Sequence, residues 1–172
     1  MADDNNKAAA YSQIRQFGDP CLREISRPVE LDDELRKLVE RMIKIMYVAD
    51  GVGLAAPQIG VLRKVIVFQL DKEVNVLINP EITWRSDETN TEPEGCLSLA
   101  SMAVDVERSQ KVKVEGEDLE GNRRVYELEG LKARILQHEI DHLEGTMVIN
   151  RTSKEQRKEL MSHLRNMKLP GE

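Results

Sequence analysis

The residue pattern with the clearest chemical meaning is His138-Glu139-Ile140-Asp141-His142. Side chains four residues apart lie on one face of a helix, so two imidazoles there can bind one metal ion while Glu139 reaches water on that ion. The alternative is a set of polar residues on a solvated helix face. The chain has only 3 histidines, and Leu136 and Ile140 indicate a packed helix. The segment therefore predicts a metal site with Glu139 as the proton-transfer residue.

Two ligands do not complete a catalytic metal site, which usually has three protein ligands and one open position. Cys96 is the leading third candidate, because a thiolate is a good ligand for zinc and ferrous iron and the preceding Gly95 permits close approach of the backbone. The alternative for Cys96 is a buried core cysteine. Ordinary zinc proteases with this helix motif take a ligand from further downstream, which here would be Glu155, Glu159 or His163. A solvated surface histidine is the simpler interpretation of His163.

A second unusual segment is glycine- and alanine-rich and runs from Gly51 to Gly60. Small residues let a backbone approach a ligand closely. The only polar side chain in the segment is that of Gln58, whose amide could donate a hydrogen bond to a developing oxyanion. Tight packing alone also favours such a segment, and the spacing of Gly51 and Gly53 does not make a phosphate loop.

Composition limits the classes of protein that fit. A chain of 172 residues is long enough for one domain with a real core, and a net charge of -6 argues against broad affinity for nucleic acid or anionic membranes. No apolar run is long enough to span a membrane, and the acidic start does not resemble a secretory signal or a transit peptide. We therefore expect a cytoplasmic protein, in which Cys21 is a buried residue and not half of a structural disulfide.

The elements that must position these residues follow from apolar periodicity and turn residues, which together predict an α+β domain. It has short antiparallel strands in small mixed sheets around a central metal-binding helix, with a C-terminal helix. Helices are predicted from Asp32 or Asp33 to about Tyr47, over Leu131–Leu143, and after the capping residue Ser153, with Leu160, Leu164 and Met167 on one face. Strands are predicted over 64–68, 74–78, 96–99, 103–106, 112–114, 124–128 and 147–149. Between them we expect a break at Asn79-Pro80, a turn at 120–122 and a loop over 82–94. We also expect irregular structure over 51–60 and a mobile tail over 1–12.

Taken together, three segments resemble the peptide deformylases. That family has a Gly-x-Gly-x-Ala-Ala-x-Gln segment, a Glu-Gly-Cys-Leu-Ser segment and a His-Glu-x-x-His helix, and the same order is found here at Gly51–Gln58, Glu94–Ser98 and His138–His142. The similarity extends from about Ile14 to the terminal helix. It implies a single catalytic domain over 1–172, of the class typical of Gram-negative bacteria and organelles.

The resemblance implies a hydrolase that removes the N-formyl group from the initiator methionine of new polypeptides and releases formate. Cys96, His138 and His142 would hold one divalent ion, physiologically Fe²⁺, which Zn²⁺, Ni²⁺ or Co²⁺ can replace. Gln58 and the backbone N–H of Leu97 would stabilise the oxyanion.

The resemblance also implies how the peptide is bound. Backbone groups of the first two segments would add the peptide as an extra strand, and further side chains would border the pocket for methionine, Arg134 through its aliphatic stem alone. The substrate-binding residues implied in this way are Gly51, Val52, Gly53, Glu94, Gly95, Leu131, Arg134 and Ile135.

Some features depart from the family pattern or go beyond it. Cys-Leu-Ser is followed here by Leu99-Ala100, and Ala103 replaces a common arginine, so peptide preference beyond methionine is not carried over. The terminal helix is locally basic, and in related enzymes it contacts the ribosome; a solvated helix is the alternative. The basic residues concerned are Lys154, Arg157, Lys158, Arg165 and Lys168. We expect a monomer that binds no membrane and no specific nucleic-acid sequence.

Two other functions stay open on the residues alone. One is a general zinc protease with a downstream third ligand. The other is a non-catalytic protein that binds formylated N-termini, which the presence of Glu139 and Gln58 argues against.

Overall fold

The structure, a computed structural model, describes residues 2–99 and 102–166. Within these residues, four α-helices and seven β-strands surround the metal-binding segment. The helices are α1 (Ala2–Tyr11), α2 (Asp33–Val48), α3 (Gly130–Leu143) and α4 (Lys154–Asn166). The strands are β1 (Gly53–Ala55), β2 (Val65–Leu70), β3 (Glu73–Arg85), β4 (Thr89–Gly95), β5 (Ala103–Ser109), β6 (Lys111–Glu117) and β7 (Arg123–Glu129).

The α+β class is confirmed, and the strands named above pair antiparallel in two sheets. The larger sheet has the order β1-β2-β3-β6-β7, and the smaller one pairs β4 with β5. The only parallel pairing in the described part of the chain is an isolated bridge between Arg27 and Arg63. Strand β1 lies at an edge of the larger sheet, and β4 is an edge strand of the smaller sheet. Both strands lead into the candidate site.

Helix α2 begins and ends close to the predicted residues. The Asp32 carboxylate accepts a hydrogen bond of 2.6 Å from the Leu35 N–H and so satisfies one of the unpaired amides at the helix start. Apolar residues at the predicted 3–4 spacing bury one face. This face covers one side of β2, while α3 covers the other, so the β2 residues from Val65 to Phe68 are all fully buried.

The predicted break at Asn79-Pro80 is wrong, because β3 continues through it. The register between β3 and β6 shifts between Ile78 and Glu81, as in a β-bulge, and Asn79 has a positive φ of 49°. The Asn79 side chain accepts a hydrogen bond from the Val29 N–H and donates one to the Val29 carbonyl, each 2.9 Å long. These hydrogen bonds to Val29, which lies outside the sheet, thus stabilise Asn79 at a place where the sequence predicts the end of a strand.

Most of the loop predicted over 82–94 is also strand, formed by the end of β3 and by β4. Strand β4 is polar because most of its residues are exposed, whereas Glu94 at its end is buried. The predicted strand at 96–99 is instead a 3₁₀ helix, Leu97–Leu99. The segment 51–60, predicted to be irregular, forms β1 and a 3₁₀ helix, Ala56–Ile59.

Helix α3 runs through the centre of the molecule, as predicted, and is buried on most of its surface. Its C-terminal end needs Gly145, which has a φ of 67°, and a Cβ there would lie 2.4 Å from the carbonyl oxygen of Arg23. The strand predicted at 147–149 is wrong; Val148–Asn150 forms a 3₁₀ helix. The turn over 120–122 is confirmed, with Gly121 at a φ of 79°.

Of the two terminal helices, the first was not predicted and the second was. Residues 1–12 read as a tail, yet Ala2–Tyr11 is helical, because Ala10 enters the core and Tyr11 packs beside it. Helix α4 forms as predicted, with the Ser153 hydroxyl accepting a hydrogen bond of 3.1 Å from the Gln156 N–H and Leu160 buried. Met167 and Lys168, which were assigned to this helix, lie outside the described residues. No helix in the described ranges is both long and apolar enough to cross a membrane.

Candidate metal centre and catalytic cleft

The thiol of Cys96 and the Nε2 atoms of His138 and His142 converge on one point. The two nitrogens are 3.2 Å apart, and the Cys96 sulfur is 3.4 Å from His142 Nε2. All three ligand atoms lie within 4.8 Å of one another. Helix α3 supplies both imidazoles from adjacent turns, and the thiol enters from the residue that follows β4.

These separations fit a tetrahedral ion. With metal–nitrogen bonds of about 2.0–2.1 Å and a metal–sulfur bond of about 2.3 Å, two nitrogens would lie about 3.3 Å apart, and sulfur and nitrogen about 3.6 Å apart. The protonation of the histidines also fits. His138 Nδ1 lies 2.9 Å from a Glu94 carboxylate oxygen and donates its proton there, which leaves the Nε2 lone pair facing the site. Burial holds the pKa of His142 well below its usual value, so this ring is neutral.

Behind His138 lies Glu94, a buried carboxylate held by two guanidinium groups. Oε1 accepts hydrogen bonds from Arg108 Nε at 2.8 Å and from Arg134 Nη1 at 2.7 Å, while Oε2 accepts one from Arg108 Nη2 at 2.9 Å. Burial alone would raise the pKa of Glu94, but hydrogen bonds from Arg108 and His138 outweigh it and lower the pKa to about 2. A permanent anion therefore faces the Nδ1 side of His138.

Asp141, on the same helix, extends this ion network. It accepts hydrogen bonds from Arg108 Nη1 at 2.5 Å and from the Arg151 guanidinium at 2.6 and 2.8 Å. Arg108 therefore joins Glu94 at the end of β4 to Asp141 on α3. Together with Arg134 and His138, which also bond Glu94, this buried guanidinium links the two segments that carry the three convergent ligand atoms.

Glu139 faces the same point from α3. It is buried, and burial raises its pKa to about 7. Its Oε2 is buried with no hydrogen-bond partner among the described atoms. A Cβ at residue 53 would lie 2.3 Å from Glu139 Oε1, so a side chain there would displace the Glu139 carboxyl group. A carboxyl group with an unpartnered oxygen and a pKa near neutrality can exchange a proton with a nearby water or amine.

Gln58 lies on the other side of Cys96. Its Oε1 accepts a hydrogen bond of 2.9 Å from the Ala55 N–H, which fixes the orientation of the amide. Nε2 consequently points toward the site, 3.2 Å from the Ser98 hydroxyl and 3.7 Å from the Cys96 sulfur. This arrangement places an N–H donor beside Cys96, and its use as an oxyanion contact stays a prediction.

A cleft of about 430 Å³ opens onto these groups. The edge strand β1 and the end of the edge strand β4 contribute to its walls, and unpaired strand edges can accept an additional strand. Leu97 is the first residue of its 3₁₀ helix, so its N–H has no acceptor within that helix. The predicted site residues that line the cleft are Gly51, Val52, Gly53, Gln58, Glu94, Gly95, Cys96, Leu97, Leu131, Arg134, Ile135, His138 and Glu139.

Comparison with known proteins gives consistent matches along most of the chain. A family model described as polypeptide deformylase matches residues 11–158. The chain belongs to the polypeptide deformylase family. A peptide deformylase of Thermotoga sp. (strain RQ2) is 45% identical over 161 residues, which is 91% of this chain and 98% of the relative. One from Phenylobacterium zucineum is 42% identical over 162 residues, covering 91% and 96%.

Solved deformylase structures share the fold. The crystal structure of peptide deformylase from Thermotoga maritima superposes with a TM-score of 0.79 at 46% identity and covers 81% of this chain and 96% of that one. A peptide deformylase from Synechococcus elongatus, solved in complex with actinonin, has a TM-score of 0.82 at 40% identity and covers 88% and 83%. The chain is thus a hydrolase of this family, and the family is metal-dependent.

The rival third ligands do not reach the metal centre of this deformylase-family chain. The Cys/His/His cluster is the one candidate metal group found among the described residues. His163 is exposed on α4 and lines a separate surface pocket with Glu159, while Glu155 lies at the exposed start of that helix. The alternative of a zinc protease with a third ligand from this region is therefore not supported by the described residues. Cys21 is half-buried and free, whereas a buried residue was expected.

Sequence reasoning missed part of the deformylase site. Arg108 follows Val104 and Val106 on the buried face of β5, and its role is visible only from its contacts with Glu94 and Asp141. Asp141 could have been found, because it lies inside the His138–His142 motif. Ala103 begins β5, and Ala100 lies outside the described residues. The guanidinium of Arg134 is buried against Glu94 and the Val106 carbonyl, which leaves its stem as the part that can face the cleft.

Proposed function

We propose that this chain is a peptide deformylase that removes the N-formyl group from the initiator methionine of newly made polypeptides and releases formate. One observation carries the proposal: Cys96, His138 and His142 converge beside the unpartnered oxygen of Glu139, in a cleft bordered by two strand edges. The names of its relatives agree with this activity.

Cys96, His138 and His142 would hold one divalent ion per chain. The donor set of one thiolate and two imidazoles suits Fe²⁺, which we propose as the physiological ion, and also Zn²⁺, Ni²⁺ or Co²⁺. A bound ion of this kind supplies Lewis acidity, which makes water a stronger acid and polarises a carbonyl oxygen. Glu94 would orient His138 for this task.

We propose that Glu139 takes a proton from the attacking water and later gives it to the leaving amine. Its pKa of about 7 lies near the working pH, where a group can both accept and return a proton. Its place against Gly53 puts it beside the strand edge along which the substrate would bind. The proton thus has one short path from water to the new N-terminus.

Two donors would meet the negative charge that develops on the formyl oxygen. The Gln58 amide is fixed by Ala55 with its N–H groups facing the site, and the Leu97 N–H lacks a partner within its helix. Donors fixed in advance stabilise the transition state more than the ground state, and losing one typically costs about 10²–10³ in kcat.

The peptide would bind as an added strand between Val52, Gly53 and Gly95. The residues that would border the methionine side chain are Val52, Glu94, Leu131, Ile135, His138 and, through its stem, Arg134. Because a formyl carbon carries only hydrogen, it can enter a narrow site that excludes bulkier acyl groups.

We further propose that the chain is a cytoplasmic bacterial monomer whose α4 contacts the ribosome. The support is the exposed basic face of α4, which carries Lys154, Arg157, Lys158 and Arg165, on a protein of net charge -6. Co-sedimentation with ribosomes at low salt should be lost when Arg157 and Lys158 are replaced by glutamate. Retention of binding by that variant would exclude this surface.

The activity is tested by measuring formate released from formyl-Met-Ala-Ser by protein that has been purified anaerobically and loaded with Fe²⁺. Glu139→Ala is the control, because it removes the proton carrier and leaves the three metal ligands intact. We expect turnover by the wild type and a loss of at least about 10²-fold in the variant. An inactive wild type, or a variant as active as the wild type, would contradict the proposal.

A further inference from the structure

Helix α1 reaches the mouth of the cleft. Ala10 is buried at 5% exposure, and Tyr11 packs against the core that α2 forms with the sheet, so the end of the helix is anchored there. The Tyr11 hydroxyl donates a hydrogen bond of 3.2 Å to the carbonyl of Ala49, and the Lys7 ammonium pairs with Asp50. Lys7, Tyr11, Ala49 and Asp50 all line the same cleft as the metal ligands.

This helix lies almost wholly outside the part of the chain that the deformylase family model matches, which begins at residue 11. The wall that it adds is therefore not part of the matched family domain. Helix α1 contacts Ala49 and Asp50, and these two residues immediately precede the segment from Gly51 to Gly53, which borders the catalytic groups.

The spacing along that segment indicates which part of a substrate would meet α1. Gly53 lies against Glu139 and so marks the catalytic end of the cleft. Asp50 is three residues earlier, and since an extended residue advances about 3.3 Å, it lies at most roughly 10 Å away along the chain. An extended peptide whose formyl group lies at Glu139 covers that distance in about three residues. The residues that follow methionine would thus lie near Lys7 and Tyr11.

We infer that α1, through Lys7 and Tyr11, forms a specificity wall for the peptide residues that follow the N-formylmethionine. The inference rests on the proposed deformylase function. Lys7 pairs with the carboxylate of Asp50, whose side chain is 76% exposed, and so offsets that negative charge at the mouth of the cleft. Without the Lys7 charge, Asp50 favours basic and disfavours acidic residues in the substrate.

The test compares Lys7→Ala with a matched control, Lys132→Ala. Lys132 pairs with Asp71, and neither residue lines the cleft. The side chains of Lys132 and Asp71 are 44% and 75% exposed, and those of Lys7 and Asp50 are 46% and 76% exposed, so the two ion pairs are closely matched. The kcat/KM values are measured at low salt for formyl-Met-Ala, formyl-Met-Ala-Glu and formyl-Met-Ala-Lys.

For Lys7→Ala, we expect the ratio of kcat/KM for the Glu peptide over the Lys peptide to fall about two- to fivefold, the range of a partly exposed charge contact. The change should vanish at high salt. Lys132→Ala should leave all three values unchanged. An unchanged ratio, or an equal loss on all three peptides, would overturn the specificity wall while leaving the deformylase function intact. A wild type that is inactive on all three would overturn the function and the wall together.

Discussion

Replacing Glu94 by glutamine removes the negative charge at the centre of the ion network behind the metal site. Its two oxygens accept four hydrogen bonds of 2.7–2.9 Å from Arg108, Arg134 and His138. A neutral amide leaves Arg134 with no close buried carboxylate and Arg108 with Asp141 alone, which Arg151 shares. Breaking a buried ion pair by removing one partner costs about 3–5 kcal/mol. In a chain of this length, this lowers Tm by roughly 6–20 °C.

The same change should weaken metal binding, because Glu94 fixes the tautomer and the orientation of His138. Loss of such a partner of a ligand typically costs about 10–100-fold in affinity. The free energy of unfolding of the metal-free protein is measured by urea titration, and Zn²⁺ affinity by competition with a chromophoric chelator.

Glu127→Gln is the control for Glu94→Gln, since Glu127 forms only an exposed pair with Lys113 and should change stability by less than about 1 kcal/mol. If Glu94→Gln stays within about 1 kcal/mol of the wild type and within threefold in Zn²⁺ affinity, our account of the ion network is refuted.

Four further outcomes are expected. Cys96→Ala should abolish binding of one Zn²⁺ per chain, measured after dialysis by elemental analysis, whereas His163→Ala should retain it; the reverse would support a downstream ligand. Glu139→Ala should keep the ion yet lose at least about 10²-fold in kcat, and loss of the ion instead would mean that Glu139 acts structurally. Gln58→Leu should lower kcat about 10²–10³-fold with a smaller change in KM, and a change in KM alone would argue against oxyanion contact. Hydrogen bonds from Arg108 and His138 outweigh burial and lower the pKa of Glu94 from 4.5 to about 2. The contribution of Glu94 to the stability of the fold is therefore complete above about pH 4.5 and is lost as the pH falls toward 2. Acid unfolding of the metal-free protein should show this loss of stability, and acid unfolding of Glu94→Gln should not.

The parts of the fold that the sequence predicts well are those where one local signal dominates. Helix α2 has a capping residue, Asp32, and one apolar face, and β2 has an apolar run that is buried on both sides. Strand β4 was missed because a polar, mostly exposed strand has no alternation of apolar and polar residues. Helix α1 was read as a tail because its order depends on Ala10 and Tyr11 packing against distant residues.

For the candidate site too, residues with a local sequence signal could be predicted and residues that depend on distant contacts could not. The spacing of His138 and His142 is local, so the histidine pair and Glu139 could be predicted from the helix alone. Choosing Cys96 over His163 needed either the family resemblance or the tertiary structure, in which Cys96 lies beside both histidines. Arg108 could not be predicted, because its importance comes from contacts 14 and 33 residues away in the chain.

The central claim is that one ion, held by Cys96, His138 and His142, makes this chain a deformylase. The most direct measurement is formate release from formyl-Met-Ala-Ser as metal-free protein is titrated anaerobically with Co²⁺. Activity should start near zero, rise linearly and reach a plateau at one equivalent per chain, and Cys96→Ala should stay inactive throughout. Full activity before any Co²⁺ is added, or the same plateau in Cys96→Ala, would contradict the account.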